Sequence, residues 1–381
     1  MDDASPRSFA IVANGFGDGP AQALRDYLVE QGASVVTVFH PLTREQGTTH
    51  VVTTYAGGSE VRSRTIGLPI RPPLSFAADS LVPLRLPQVD AWFGFNPLAC
   101  ARGLVLRRLR RARIVVLWSV DFVPERFGSG TALTRLYDSL DRLCCTRADR
   151  RIELSEAARL ARNEHHGLHE QGVPTLVVPM GAWLDRTPTV PVDGFARRRI
   201  VYLGHLVPRQ GVGALVDALS ILRARGETIE ADIIGAGPDE AALRDQARSL
   251  ELADVVRFRG FVPDHRDVEQ ILAESSIAVA PYEPSENTFT RYADPGKLKA
   301  YLAAGLPIVM TDVPPNALEL AQEAGAEIVS YNPAAIAEAI VRGLDSPGRW
   351  RERRDLALHY ACRFDWASLL PDALAALGLG R

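Results

Sequence analysis

The chain has 381 residues, 46% of them apolar, and a formal net charge of −3. The length suits two domains better than one, and the apolar fraction is enough to bury sizeable cores. A charge so close to neutral gives no nucleic-acid footprint, no apolar run nears the ~20 residues that cross a bilayer, and the polar Met1–Ser8 stretch does not read as a signal peptide.

Apolar runs alternate with helical spacing along the whole chain. Phe9–Ala13 reads as a strand, Asn14–Pro20 as a glycine-rich turn, Ala21–Gln31 as a helix stopped by Gly32, and Val35–Phe39 as the next strand. This order predicts a parallel, doubly wound α/β sheet. Ala91–Phe95, Ile114–Trp118, Ile152–Leu154 and Thr175–Val178 supply its further strands. Residues 184–198 are polar, proline-bearing and aperiodic, and read as a linker. The alternation then restarts. Strands are expected at Ile200–Leu203, Ala231–Ile234, Val255–Arg257, Ile277–Ala280 and Ile308–Thr311. Helices are expected at Val212–Arg225, Glu240–Ser249, Val268–Glu274 and Lys297–Ala304. Two such sheets in tandem place their ligand-binding strand ends on either side of a cleft.

The segment Ala280–Val313 carries the sharpest chemical signal. A long polar loop leads into a helix opened by Pro295 and Gly296, with Lys297 in its first turn. A lysine there opposes the helix dipole, which makes sense if a phosphate neutralises it. The plainer alternative is a solvated surface lysine.

At this segment the chain resembles the retaining glycosyltransferases of family 4, which have the GT-B fold of two facing Rossmann-like domains. The run Lys297–Val309 is similar to that family's donor-site helix and following strand. Tyr202–Val212 resembles the opening strand and loop of its donor domain, Ile234–Pro238 the second strand–turn, and Phe258–Val262 the segment lining the nucleotide base. The likeness covers roughly residues 198–370; the first half matches only in layout. It implies an acceptor-binding domain at 1–185, a nucleotide-sugar domain at 198–360, and a helix in 361–381 returning to the first domain. It also implies transfer of a sugar from a UDP- or GDP-linked donor to a hydroxyl, with retention. No cofactor is expected beyond the donor as co-substrate, and no metal. The chain departs from the family at four positions. Its paired glutamates fall on Tyr292 and Ala300, and the arginine and lysine of its first loop fall on His205 and Gln210.

The implied donor site comprises Gly204, His205, Gly235, Gly237, Phe261, Val262, Tyr292, Asp294, Pro295 and Gly296. Arg209 and Lys297 would stabilise the departing diphosphate. Asp294 and Tyr292 would replace the missing polar contacts. On the acceptor side, Asn14, Gly15, Phe16 and Gly17 form a turn where backbone could approach a sugar, or simply a tight turn. Asp121 follows a strand among apolar and aromatic neighbours, surroundings that raise a carboxyl's pKa. It reads as an acceptor-facing carboxylate or as a turn residue. The expected acceptor is a small molecule, a glycan or a lipid-linked molecule.

Other features read more plainly. The four cysteines, Cys100, Cys144, Cys145 and Cys362, form no Cys-x-x-Cys pair and suit reduced thiols in a cytoplasmic protein. His165, His166 and His169 read as an exposed helix end. The basic stretch Arg102–Arg113 reads either as a solvated helix face or as a peripheral contact with anionic lipid on the inner membrane face. Asp-x-Asp and P-loop motifs are absent. Two alternatives stand beside transfer: a nucleotide-sugar epimerase of the same fold, and a non-catalytic partner protein. The sequence does not give the oligomeric state.

Overall fold

The structure, a computed structural model, describes residues 7–42, 46–72, 74–79, 87–168, 172–284 and 289–380. His169, one of the clustered histidines, lies outside them. The chain divides into two units, Met1–Pro179 with Leu369–Arg381, and Met180–Ser368.

The first unit runs β1 (Ser8–Asn14), α1 (Pro20–Glu30), β2 (Ser34–His40), β3 (Thr49–Ala56), β4 (Ser59–Gly67), α2 (Phe76–Asp79), β5 (Val89–Gly94), α3 (Pro97–Arg108), β6 (Ala112–Trp118), α4 (Ala132–Arg147), β7 (Arg150–Glu153), α5 (Glu156–His166) and β8 (Thr175–Val177). Its strands form one sheet in the order β4-β3-β2-β1-β5-β6-β7-β8. β1 pairs in parallel with both β2 and β5, and the parallel order continues to β8. Ala10, Ile11 and Val12 are fully buried, as a central strand covered on both faces requires.

One edge departs from the expected parallel sheet. β3 and β4 form an antiparallel hairpin added to β2. Its turn is Gly57–Gly58, both with positive φ, the geometry of the tightest hairpin connection. Glu60, Arg62 and Arg64 are exposed along β4, charges that discourage edge-to-edge association.

The second unit runs β9 (Arg199–Leu203), α6 (Val212–Ala224), β10 (Glu230–Ile234), α7 (Glu240–Ser249), β11 (Val256–Gly260), α8 (His265–Ala273), β12 (Ile277–Ala280), α9 (Gly296–Ala303), β13 (Ile308–Met310), α10 (Ala317–Glu323), β14 (Glu327–Ile328), α11 (Pro333–Leu344) and α12 (Pro347–Ala361). Its six strands are all parallel, in the order β11-β10-β9-β12-β13-β14. β9 sits centrally, so the loop after Leu203 emerges where the strand order reverses, the usual position of a ligand site in such sheets. A last helix, α13 (Trp366–Ala376), starts in the second unit, and from Leu369 the chain is counted with the first.

The stretch 184–198 is no free linker. Val190 is fully buried in the core of the second unit and its N–H donates to Ala304 O at 2.8 Å. Leu184 and Phe195 pack partly on the same core, but three scattered apolar anchors in a polar stretch leave no periodicity to detect. The final core is closed by Trp350, buried with its indole N–H on Ser276 O at 2.8 Å.

Candidate active site

In the second unit the polypeptide leaves β9 at Gly204 with φ +145°, and a β-carbon there would come within 2.6 Å of Lys297 Nζ. Glycine is therefore what allows the lysine to lie against this turn. Gly235 is constrained alike: a β-carbon on it would meet Gly204 O at 1.9 Å, and one on Gly237 would meet Leu206 O at 2.2 Å. These glycines let two strand ends pack backbone against backbone.

Lys297 occupies the first turn of α9. Pro295 precedes the helix in an extended conformation and no side chain caps it. The first-turn N–H groups thus carry the uncompensated positive end of the helix. Lys297 Nζ donates to Gln210 Oε1 at 2.6 Å and to Tyr202 OH at 3.1 Å. It lies 4.3 Å from the centre of the Tyr202 ring and 4.9 Å from that of Tyr282. Enclosed by neutral partners, the ammonium is pushed down to about 7 by burial. His205 is exposed and its pKa is lowered, by partial desolvation first and then by the charges of Arg209 and Lys297. Arg209 lies on the short 3-10 turn Pro208–Gln210. The charges of Arg209 and Lys297 therefore both reach His205, whose ring they hold neutral. Sequence reasoning missed the cradle of Tyr202, Tyr282 and Gln210, because nothing in their spacing marks them as partners of a residue far along the chain.

The other donor-side candidates differ in placement. Phe261 is 65% exposed, Val262 packs partly on the core, and Tyr292 is partly exposed. Asp294 stands just before Pro295, the N-cap of α9. It is buried, paired with Lys299 Nζ at 3.0 Å, and accepts the Met180 N–H at 2.7 Å. Lys299 is itself buried over the Phe364 ring. Asp294 therefore neutralises an internal lysine. Ala300 is buried in α9, in the unit's apolar core.

In the first unit, Asn14 ends β1. Its amide donates to Asp79 Oδ2 at 2.8 Å and to Pro41 O at 3.3 Å, and its carbonyl accepts from Asn96 at 2.8 Å. This side chain ties three segments together. Gly15, at φ +105°, donates to His40 O at 2.8 Å, while Phe16 and Gly17 are exposed.

Asp121 follows β6, as expected, but its enclosure is not apolar: its carboxylate is ion-paired with Arg126. Its carbonyl accepts from Arg162 Nη2 at 2.7 Å and from Ser119 Oγ at 2.9 Å. Arg162 belongs to a buried network. It pairs with Asp141 and, at 2.8 Å, with Glu153, and Arg151 approaches Glu153 at 3.3 Å. His166, expected on an exposed helix end, is buried with Nε2 2.8 Å from Asp141 Oδ2; His165 lies 3.3 Å from Asp138. Helix spacing cannot show that this helix end faces a buried carboxylate from α4.

The basic stretch Arg102–Arg113 is not one helical face. α3 ends at Arg108 and β6 begins at Ala112. Arg102 is partly buried against Trp92, and Arg107 pairs with Asp149.

Residues 197–346 match the family model described as Glycosyl transferases group 1. The chain is 29% identical over 229 residues to the phosphatidyl-myo-inositol mannosyltransferase of Propionibacterium freudenreichii, covering 58% of this chain and 53% of that one. It spans about half or less of the length of the curated relatives it matches. Among solved structures, sucrose-phosphate synthase from Thermosynechococcus elongatus superposes with a TM-score of 0.72 at 15% identity, over 98% of each chain. HepE of Anabaena, in complex with UDP-glucose, gives 0.70 at 18% identity over 97% of this chain and 99% of that one. The fold is that of the GT-B glycosyltransferases, and the second unit carries their group 1 signature. Among the described residues no helix is long and apolar enough to cross a membrane.

Proposed function

We propose that this protein is a glycosyltransferase that moves a sugar from a UDP- or GDP-linked donor to an acceptor hydroxyl with retention, using no metal at the diphosphate. The observation that carries this reading is Lys297: a lysine in an uncapped helix start, its ammonium desolvated among neutral partners, beside His205 and Arg209. Such a group gains most when an anion arrives. The UDP-glucose held by HepE, on the same fold, supports a nucleotide-sugar donor.

As the nucleoside diphosphate departs, negative charge builds on its oxygens. Lys297 and Arg209 stabilise that charge in the transition state. In a retaining reaction the leaving phosphate takes the acceptor's proton, so the first unit needs no strong base. Asp121, held by Arg126 and by the Arg162-anchored loop, orients the acceptor hydroxyl. The acceptor is a small molecule, a glycan or a lipid-linked molecule, and any membrane contact is peripheral.

Calorimetric titration with UDP- and GDP-sugars, followed by turnover with an acceptor panel, tests this function. Saturable donor binding and acceptor-dependent release of nucleoside diphosphate are expected. Binding of no nucleotide-sugar would make the chain a non-catalytic partner, and an epimeric sugar, free or nucleotide-linked, formed from donor alone would favour an epimerase.

A further inference from the structure

Three buried polar side chains in the first unit meet with too few protons to satisfy one another. His40 ends β2, and the register that pairs Phe39 with Val51 brings His50 of β3 opposite it. Their Nδ1 atoms are 2.8 Å apart. Asp79, at the end of α2, points Oδ1 toward them, 3.9 Å from His40 Nδ1 and 3.6 Å from His50 Nδ1. All three residues are buried. Between two imidazole nitrogens in contact there is room for one proton, and it serves only that pair. Asp79 Oδ1 has no hydrogen-bond partner.

From this juxtaposition we propose that His40 Nδ1, His50 Nδ1 and Asp79 Oδ1 bind one divalent transition-metal ion of the zinc type. Two imidazoles and a carboxylate are a borderline-soft donor set that suits zinc and disfavours calcium or magnesium. Tetrahedral bonds of about 2.0–2.1 Å separate neighbouring donor atoms by about 3.3 Å. The observed separations straddle that figure, so small side-chain shifts close the site around an ion. One ion would satisfy both nitrogen lone pairs and the orphan oxygen together.

The contacts behind Asp79 agree. Asn14 Nδ2 donates to Asp79 Oδ2 at 2.8 Å, which fixes the carboxylate with Oδ1 turned inward. Asn96 in turn holds Asn14. A small, mainly apolar cavity lined by Val12, Asn14, Leu98, Ala99 and Arg102 adjoins His40 and Asp79. Arg102 opposes a dication there, and the Asp79 carboxylate offsets it. The ion would staple α2, a four-residue helix, to the paired ends of β2 and β3. Such a site is structural. It is independent of the glycosyltransferase reading and departs from the metal-free expectation drawn from the sequence.

The test uses the full chain, stripped with a chelator, dialysed and titrated with Co²⁺. One equivalent is expected to bind with visible d–d bands, to be displaced by Zn²⁺, and to raise the melting temperature. Asp79→Asn and His50→Gln, each checked for folding by circular dichroism in the absence of metal, are expected to weaken binding at least tenfold. Failure of the wild type to bind a stoichiometric ion overturns the proposal whatever the variants do. So does survival of the bands in both folded variants. A thiolate-to-cobalt band in the near ultraviolet would assign the ion to the cysteines and overturn it equally.

Discussion

Gln210 Oε1 accepts a 2.6 Å hydrogen bond from Lys297 Nζ. The glutamine stands where the resembled family carries a lysine, so a neutral acceptor in that loop holds the lysine of α9. A second ammonium at that distance would repel Lys297. A glutamine leaves it chargeable and aims it at the start of α9.

Lys297→Ala is expected to lower turnover by about 10²–10³-fold in a folded protein, the loss typical of a group that stabilises transition-state charge. Gln210→Glu tests the pairing from the other side. A carboxylate there holds Lys297 charged but competes with the diphosphate, so nucleotide affinity should fall about tenfold or more. Steady-state kinetics and calorimetry read both. Unchanged turnover in Lys297→Ala would leave Lys297 a buried structural lysine with no part in the chemistry.

The depressed Lys297 pKa, about 7 against an ordinary 10.5, fixes the sign of two pH effects. Between those values the unfolded chain holds a proton that the folded chain has released, so this group makes stability rise with pH across that window. Below pH 7 the buried ammonium carries its full desolvation cost. A bound diphosphate favours the charged form, so nucleotide affinity should decline above pH 7 and binding at pH 8 should take up protons. Calorimetry in buffers of different ionisation enthalpy measures this uptake. It should approach one proton and vanish in Lys297→Met; an uptake that persists in the variant would place the titrating group elsewhere.

Asp294→Ala removes the partner of Lys299 and leaves a buried ammonium unpaired. A loss of about 3–5 kcal/mol in urea unfolding is expected, with donor affinity in the remaining folded protein changed by no more than about threefold. Affinity lost without stability lost would restore Asp294 to the donor site.

Asp121 bears on stereochemistry. If it orients the acceptor hydroxyl, Asp121→Asn keeps much of the hydrogen-bonding geometry and should retain part of the activity. Removal of a general base would cost on the order of 10²-fold or more. Proton NMR of the product's anomeric coupling decides directly. An inverted product together with near-complete loss in Asp121→Asn would make Asp121 the base.

The sequence by itself determined the alternation of strands and helices in both units, the glycine turns after β1, β9 and β10, and the exceptional position of Lys297 at a helix start. These are local properties: hydrophobic period, turn chemistry and the dipole of one helix are all written within a dozen neighbouring residues. Only the tertiary structure decided which side chains meet. It gave Lys297 a glutamine 87 residues away, and set His166 against the Asp141 carboxylate 25 residues back. It also added β3 and β4 to the sheet edge, and with that register set His40 against His50. Partner choice of this kind follows from strand order and helix packing, because a buried charge or imidazole must settle against whatever polar group the fold brings within reach. No spacing in the chain encodes that encounter.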